Sequence, residues 1–245
     1  MTMDIESLER ATLDAVTPQS VEELPDWLLP FDESTVGRAI SAVPLLHTDR
    51  QSTDVTWISD RYAAHGLRAQ FRVADVPGLA ALHASLARNG YAPHQPTLTM
   101  VARAATLALN AATWKVECDT QPTKAWESVY MAADFDPVDG ANRIKALRRG
   151  KHAVYAWIAD DSGPIAAGVA SFSRGWASFH GLRTLVRVRR MGLAQALIQA
   201  FVTQASNRGL ENCFLQVEEA NSGAVALYER IGFQTAWRYH YWRQT

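Results

Sequence analysis

The chain is poor in cysteine, with Cys118 and Cys213 far apart among 245 residues and in no metal-ligand spacing. That pattern excludes a disulfide framework and a cysteine-based zinc site. Both cysteines lie in apolar, strand-like surroundings (WKVEC and NCFLQV), where a small buried hydrophobe is expected. The sequence also lacks a charge excess, with 24 basic against 25 acidic side chains. A dedicated nucleic-acid binder carries a basic surplus, so no nucleic-acid partner is expected. No stretch approaches the roughly 18 apolar residues of a membrane span, and no membrane partner is expected. The N-terminal stretch MTMDIESLERATLDAVTP is acidic and amphipathic, without the basic start and apolar core of a secretory signal. A cytoplasmic location is the expectation. Neither the Walker pattern G-x-x-x-x-G-K-[ST] nor the dinucleotide pattern G-x-G-x-x-G occurs.

What the sequence does have is LVRVRRMGLAQALIQAF, residues 185–201, with Arg187, Arg189 and Arg190 ahead of Gly192 and an apolar run. On a balanced surface this cluster is a local feature. It joins a strand to a long helix, and a glycine there lets the backbone pass close to a ligand. The first turn of a helix has free N–H groups, and together with the helix dipole they suit a pyrophosphate.

The chain reads as two halves, 1–108 and 109–245. In the first, an N-terminal helix leads to VEELPDWLLPFDES, a proline-broken connector, then a helix over 53–66 and a strand over 67–73. A helix over 76–90 follows, with Leu79, Leu82 and Leu86 at helical spacing between a proline and a glycine, then a strand over 97–104. The second half begins with the strand TWKVECDT, two helices (TKAWESVYMAADF and VDGANRIKALRRG) and three strands (HAVYAWIADD, GPIAAGVASFS and WASFHGLRTL). The long helix after Gly192 has Leu193, Leu197, Phe201 and Ala205 on one stripe and closes at Gly209. NCFLQVEE is a strand, SGAVALYERIG a helix and QTAWRYHYWR a last strand. The halves end alike: Arg88-Asn89-Gly90-Tyr91 aligns with Arg230-Ile231-Gly232-Phe233, each between a helix and a strand. That suggests an internal duplication; two unrelated glycine-capped helices are the plainer alternative.

Arg189, Gly192 and Ala194 match the phosphate-loop pattern [QR]-x-x-G-x-[GA]. Asn221, Ala224, Leu227, Tyr228, Gly232 and Phe233 match N-x-x-A-x-x-L-Y-x-x-x-G-F at every defined position. Residues 113–245 thereby resemble the GNAT superfamily of acetyl-CoA-dependent N-acetyltransferases. The resemblance implies an α/β fold with a mixed, twisted sheet whose two central strands splay apart to admit the pantetheine arm of CoA. By position, the backbone of Leu182, Arg183 and Thr184 would pair with the pantetheine. Arg189, Arg190, Met191, Gly192, Leu193, Ala194 and Gln195 would wrap the pyrophosphate, and Asn221 would touch the CoA arm. A proline common in the family after the strand is Val186 here. The first half has Leu86 at the position of Tyr228 and no phosphate loop, so it reads as a degenerate GNAT-like accessory domain beside a catalytic one.

Acetyl transfer needs a neutral amine, a donor for the oxyanion and a proton for the departing thiolate. The family resemblance gives Tyr228 the last role; by spacing alone it is an aromatic on a buried helix face. For the base, His180 lies on the strand before the loop, near its ordinary pKa range for proton transfer, though a lone histidine on a strand is commonly structural. Glu218 is the alternative, as is a water chain; Gln216, where some relatives carry a catalytic glutamate, cannot serve. Trp114, Trp126, Trp157 and Trp176 either line an aromatic pocket or pack in the core. The expected cosubstrate is acetyl-CoA, the acceptor a small-molecule or peptide amine, and the assembly a monomer or homodimer; no metal is expected. A non-catalytic acyl-CoA-binding sensor is the alternative function.

Overall fold

The computed structural model of the chain describes residues 4–48, 54–109 and 113–245. Helix α1 (Ile5–Ala15) starts at Asp4, whose carboxylate accepts the Ser7 N–H at 3.0 Å and so satisfies one orphan donor of the first turn. The stretch read as a proline-broken connector is instead a hairpin of β1 (Ser20–Leu24) and β2 (Trp27–Phe31). Pro25 falls in its two-residue turn. Pro30 lies beyond the pairing of β2 with β3 (Val43–Pro44), which reaches only Trp27 and Leu28. A missing N–H is tolerated at both places. Helix α2 (Gly37–Ile40) precedes β3, and α3 (Val55–Ala64), β4 (Phe71–Ala74), α4 (Ala80–Arg88) and β5 (Tyr91–Arg103) complete the first half.

The second half runs β6 (Glu117–Asp119), α5 (Lys124–Tyr130), α6 (Pro137–Leu147), β7 (Ala153–Asp160), β8 (Gly163–Ser173), β9 (Trp176–Thr184), α7 (Leu193–Ser206), β10 (Asn212–Glu218), α8 (Ser222–Ile231) and β11 (Gln234–Gln244). Eight strands form one mixed sheet in the order β4-β11-β5-β10-β9-β8-β7-β6, with β9 and β10 parallel and the other pairs antiparallel. Strand β5 of the first half therefore sits inside the sheet of the second.

The order β4-β11-β5-β10 has a local two-fold character. The unit β4–α4–β5 interlocks with β10–α8–β11, each having its strands separated by one from the other unit. Aligning Arg88 with Arg230 maps the pair Gln234–Val101 onto Arg243–Ala92, and both pairs are present in the register. The meander β1-β2-β3 followed by α3 likewise parallels β7-β8-β9 followed by α7, and an isolated parallel bridge, Ala42 to Phe71, stands where the β9–β10 pairing stands. Apart from α2, which lies between β2 and β3 and has no counterpart between β8 and β9, the series of three strands, helix, strand, helix and strand runs twice along the chain.

The stripe read on α7 is buried as expected: Leu193, Leu197, Phe201 and Ala205 all lie in the core, and Phe201 packs in a tilted pair with Phe179 of β9, the centroids 5.6 Å apart. Each large side chain removed from water there contributes about 1.5–3 kcal/mol. Gly209, in the left-handed region, closes the helix, with the Leu210 N–H donating to the Ala205 carbonyl at 3.0 Å. Cys213 is buried, and burial pushes its thiol up to about 12. Cys118 is exposed rather than buried, because β6 is a three-residue edge strand with a single neighbour; partial burial, Asp119 and Glu117 raise its pKa and keep it a thiol. Among the described residues no helix is long and apolar enough to cross a membrane, and no group of His, Cys, Asp and Glu is placed to hold a metal ion.

Candidate active site

Strands β9 and β10 pair from Trp176–Asn212 to Phe179–Leu215 and then part, although both continue. The cause lies in β9. Its register with β8 slips by one residue between Arg183–Ala167 and His180–Val169, and Gly181 there has φ +62. Such a bulge bends the strand and re-aims the residues beyond it. Glycine is required: a Cβ would fall 2.8 Å from both the Leu147 Cδ1 and the Tyr130 hydroxyl. Tyr130, buried in the core and held protonated by that burial, donates its hydroxyl to the Gly181 carbonyl at 2.7 Å. The parting strands open a cleft of about 310 Å³. Leu182 lines it, and Arg183 and Thr184 follow along the same strand edge. The Arg183 side chain is turned aside onto Asp139 and over the Phe135 ring at 4.4 Å, so only its backbone is left for a ligand.

Beyond the cleft, the loop into α7 places Arg190 (φ 68) and Gly192 (φ 81) in the left-handed region. The first backbone bond of the helix runs from the Ala196 N–H to the Gly192 carbonyl at 3.0 Å. The N–H groups of Gly192, Leu193, Ala194 and Gln195 precede it and have no intrahelical acceptor. Alternating left-handed residues ahead of a helix start form a concave nest of N–H groups suited to an anion. No side chain caps α7, and space around the Gly192 Cα is open. Helix α3, its counterpart in the first half, is capped by Asp54, whose carboxylate accepts the Thr56 and Trp57 N–H groups at 2.9 and 3.2 Å. There the anion position is filled by the chain itself. Trp114 donates its indole N–H to the Met191 carbonyl at 3.0 Å and steadies the α7 loop. Arg187 is bound to Asp160 and Ser162, whereas Arg189 and Arg190 are exposed and form no ion pair among the described residues.

Tyr228 lines the cleft from α8 and is 7% exposed, and its hydroxyl has no hydrogen-bond partner among the described residues. Burial pushes its hydroxyl up to about 12, so it is a donor throughout the neutral range. Asn221 caps α8 by accepting the Ala224 N–H at 3.3 Å and also lines the cleft, leaving its amide N–H₂ for a ligand. Glu218 lines the cleft and accepts a hydrogen bond from the Gln95 amide at 2.7 Å. His180 does not line it. It lies on the sheet face away from α7, against Phe214, only 2% exposed and with both ring nitrogens unpartnered. Burial first, and the Arg38 charge second, hold its pKa well below the ordinary value. A neutral His180 outside the cleft lining has no direct route to a substrate.

A family model described as "Probable histone acetyltransferase Rv0428c C-terminal" matches residues 2–242. The chain belongs to this acetyltransferase family. Among curated relatives of the chain, the [ribosomal protein bS18]-alanine N-acetyltransferase of Escherichia coli (strain K12) is 38% identical over 48 residues, 20% of this chain and 32% of that protein. An L-methionine sulfoximine/L-methionine sulfone acetyltransferase of Pseudomonas aeruginosa is 30% identical over 107 residues, 40% of this chain and 62% of that protein. The chain thus spans less than two thirds of either relative. A GCN5-related N-acetyltransferase from Kribbella flavida superposes with a TM-score of 0.72 at 16% identity, covering 99% of this chain and 96% of that one. A tandem GNAT protein from the clavulanic acid biosynthesis pathway gives 0.61 at 12% identity, covering 98% and 95%. At such identities the likeness is one of fold, and the fold is that of GNAT proteins, including a tandem one.

The cleft draws residues from places that no local motif marks. Arg38 comes from α2 in the first half and donates to the Gln216 side-chain oxygen at 3.2 Å. Tyr239, Tyr241 and Arg243 come from β11, and Gln95 from β5. Only their alternation along a strand after the Gly232-Phe233 motif hinted that one face of β11 meets the site. None of the four tryptophans Trp114, Trp126, Trp157 and Trp176 lines the cleft; Trp126 is buried and donates to the Gly168 carbonyl at 2.8 Å.

Proposed function

We propose that this chain is an N-acetyltransferase that moves the acetyl group of acetyl-CoA to a primary amine by direct attack. The observation carrying the reading is the coincidence of three features on one path. A ligand-ready nest lies at the N-terminus of α7, the sheet opens after Phe179 and Leu215, and the protonated Tyr228 hydroxyl faces that opening.

The residues fit the cosubstrate. Main-chain N–H groups of 190–195 would hold the pyrophosphate, the β9 edge from Leu182 to Thr184 would pair with the pantetheine, and the Asn221 amide would donate to it. Acetyl-CoA when bound supplies an activated acyl group and a thiolate leaving group. Tyr228 donates a hydrogen bond to the sulfur as negative charge grows there. With its pKa about 12 it does not ionise near neutral pH, so it acts by hydrogen bonding and relay, and the net proton comes from the acylated amine. Glu218, open to the cleft, takes the amine proton directly or through water. His180 stays neutral and buried outside the cleft lining, and takes no part in the proton transfer. Residues 1–108 serve as a degenerate GNAT-like copy that walls the acceptor side and donates β5 to the sheet around the catalytic half, 109–245. A cytoplasmic location goes with this reading.

The test is release of free thiol from acetyl-CoA by the purified chain across a panel of amines, with CoA binding followed by titration calorimetry. Amine-dependent release supports the reading. CoA binding with no release above hydrolysis for any amine favours an acyl-CoA sensor, and absence of CoA binding removes the assignment.

A further inference from the structure

Resting on the acetyl-transfer reading above, we infer that the acceptor is an amine that also carries a carboxylate, of the α-amino acid class, with Arg38 holding the carboxylate. Several observations converge. The cleft is lined by Arg38 from the first half and Arg243 from β11, and neither has a carboxylate partner among the described residues. Arg243 is held instead by neutral amides, Gln70 at 2.6 Å and Gln95 at 3.4 Å, and lies over the Tyr241 ring. Arg38 is half-buried, and its Nε is buried with no acceptor. The neighbouring Gln216 amide nitrogen and both His180 nitrogens are also buried and unpartnered, so these polar groups lack partners within the protein. A half-buried guanidinium without a counter-ion is costly unless an anion arrives. A carboxylate supplies it and accepts two hydrogen bonds from the planar fork.

The place of Arg38 sets the length of the acceptor. It bonds Gln216, the residue of β10 directly after the strands part, beside the edge where Tyr228 faces the opening. Arg38 and Tyr228 line one cleft of about 310 Å³, so an anion on Arg38 and an amine beside Tyr228 must share that small volume. In an α-amino acid the amine and the carboxylate share one carbon, which meets that restriction, while Glu218 attracts the ammonium on its way in. A lysine side chain presents its amine four methylenes from a neutral backbone, in a basic tail that Arg38 and Arg243 would repel.

The experiment compares free α-amino acids, their primary amides and a lysine-bearing basic peptide as acceptors for the intact chain, reading kcat/KM by thiol release. Acids should exceed their own amides by at least roughly tenfold, the scale of a charge-assisted hydrogen bond. Arg38→Gln should collapse that acid-over-amide ratio toward one through KM for the acid, and Arg38→Lys should restore part of it. CoA titration on the same samples shows that each variant is folded. Equal turnover of acids and amides, a preference for the basic peptide, or an unchanged ratio in Arg38→Gln overturns the carboxylate assignment while leaving acetyl transfer intact. No thiol release above hydrolysis with any amine overturns both.

Discussion

Replacing Tyr228 by phenylalanine removes one hydroxyl from the cleft and leaves the ring against Phe233, where the centroids are 6.1 Å apart. Because that hydroxyl has no partner among the described residues, its loss leaves no buried group newly unpaired. Folding free energy should change by less than about 1 kcal/mol. A hydrogen bond to a developing thiolate is a charge-assisted one, contributing about 2–3 kcal/mol, and it forms only as charge moves onto sulfur. The loss therefore falls on kcat, by roughly 30- to 150-fold, with CoA affinity unchanged. Stopped-time thiol release at saturating acceptor measures the first quantity and calorimetry the second. The pH profile adds an independent check: with the hydroxyl pushed up to about 12, the kcat of the unaltered chain has no descending limb from Tyr228 between about pH 7 and 10. A kcat for Tyr228→Phe within twofold of the unaltered chain would refute the role given to this hydroxyl.

Other consequences arise from the same geometry. Gly192→Val meets no neighbouring atom but forces a β-branched residue to φ 81; it should cost about 1–2 kcal/mol of stability and weaken CoA binding by at least roughly tenfold, and unchanged affinity would contradict the nest. His180 is neutral when folded and protonatable when unfolded, so between its depressed native pKa and about 6.5 the unfolded state binds more protons. Stability then rises with pH through that window and falls on acidification, by up to about 1.4 kcal/mol per pH unit; urea midpoints at several pH values should show a shallower slope for His180→Phe. Trp126→Phe removes the donor to the Gly168 carbonyl from a fully buried position, and the urea midpoint should drop by the equivalent of about 1–3 kcal/mol with the m-value kept.

The sequence makes legible those features that depend on local pattern. Leu193, Leu197, Phe201 and Ala205 mark the buried stripe of α7 by spacing alone, and Gly192 and Gly232 mark the left-handed residues at a helix start and a helix end. The GNAT fold is legible from two motifs of defined spacing. The hairpin of β1 and β2 is missed because prolines that break a central strand are harmless in a turn or beyond a partner's end. Cys118 is misplaced because an edge strand and a central one share a composition but differ in how many faces they cover. The acceptor side is the least legible part. Arg38 is 178 residues from Gln216 in sequence, and only the tertiary fold brings α2 to β10. His180 lies in the regular part of β9, paired with Val169 just before the slip at Gly181, so the bulge re-aims Leu182 rather than His180 and breaks the alternation that would put the two on one face.

The central claim is that CoA lies with its phosphates on the N-terminus of α7 and its arm in the opening between β9 and β10. Hydrogen exchange of backbone amides with and without CoA tests it most directly, because the ligand is held by those amides. The account predicts slowed exchange across 182–195 with CoA and no change at the Asp54-capped start of α3. Unchanged exchange across 182–195, or protection at α3 instead, would contradict it.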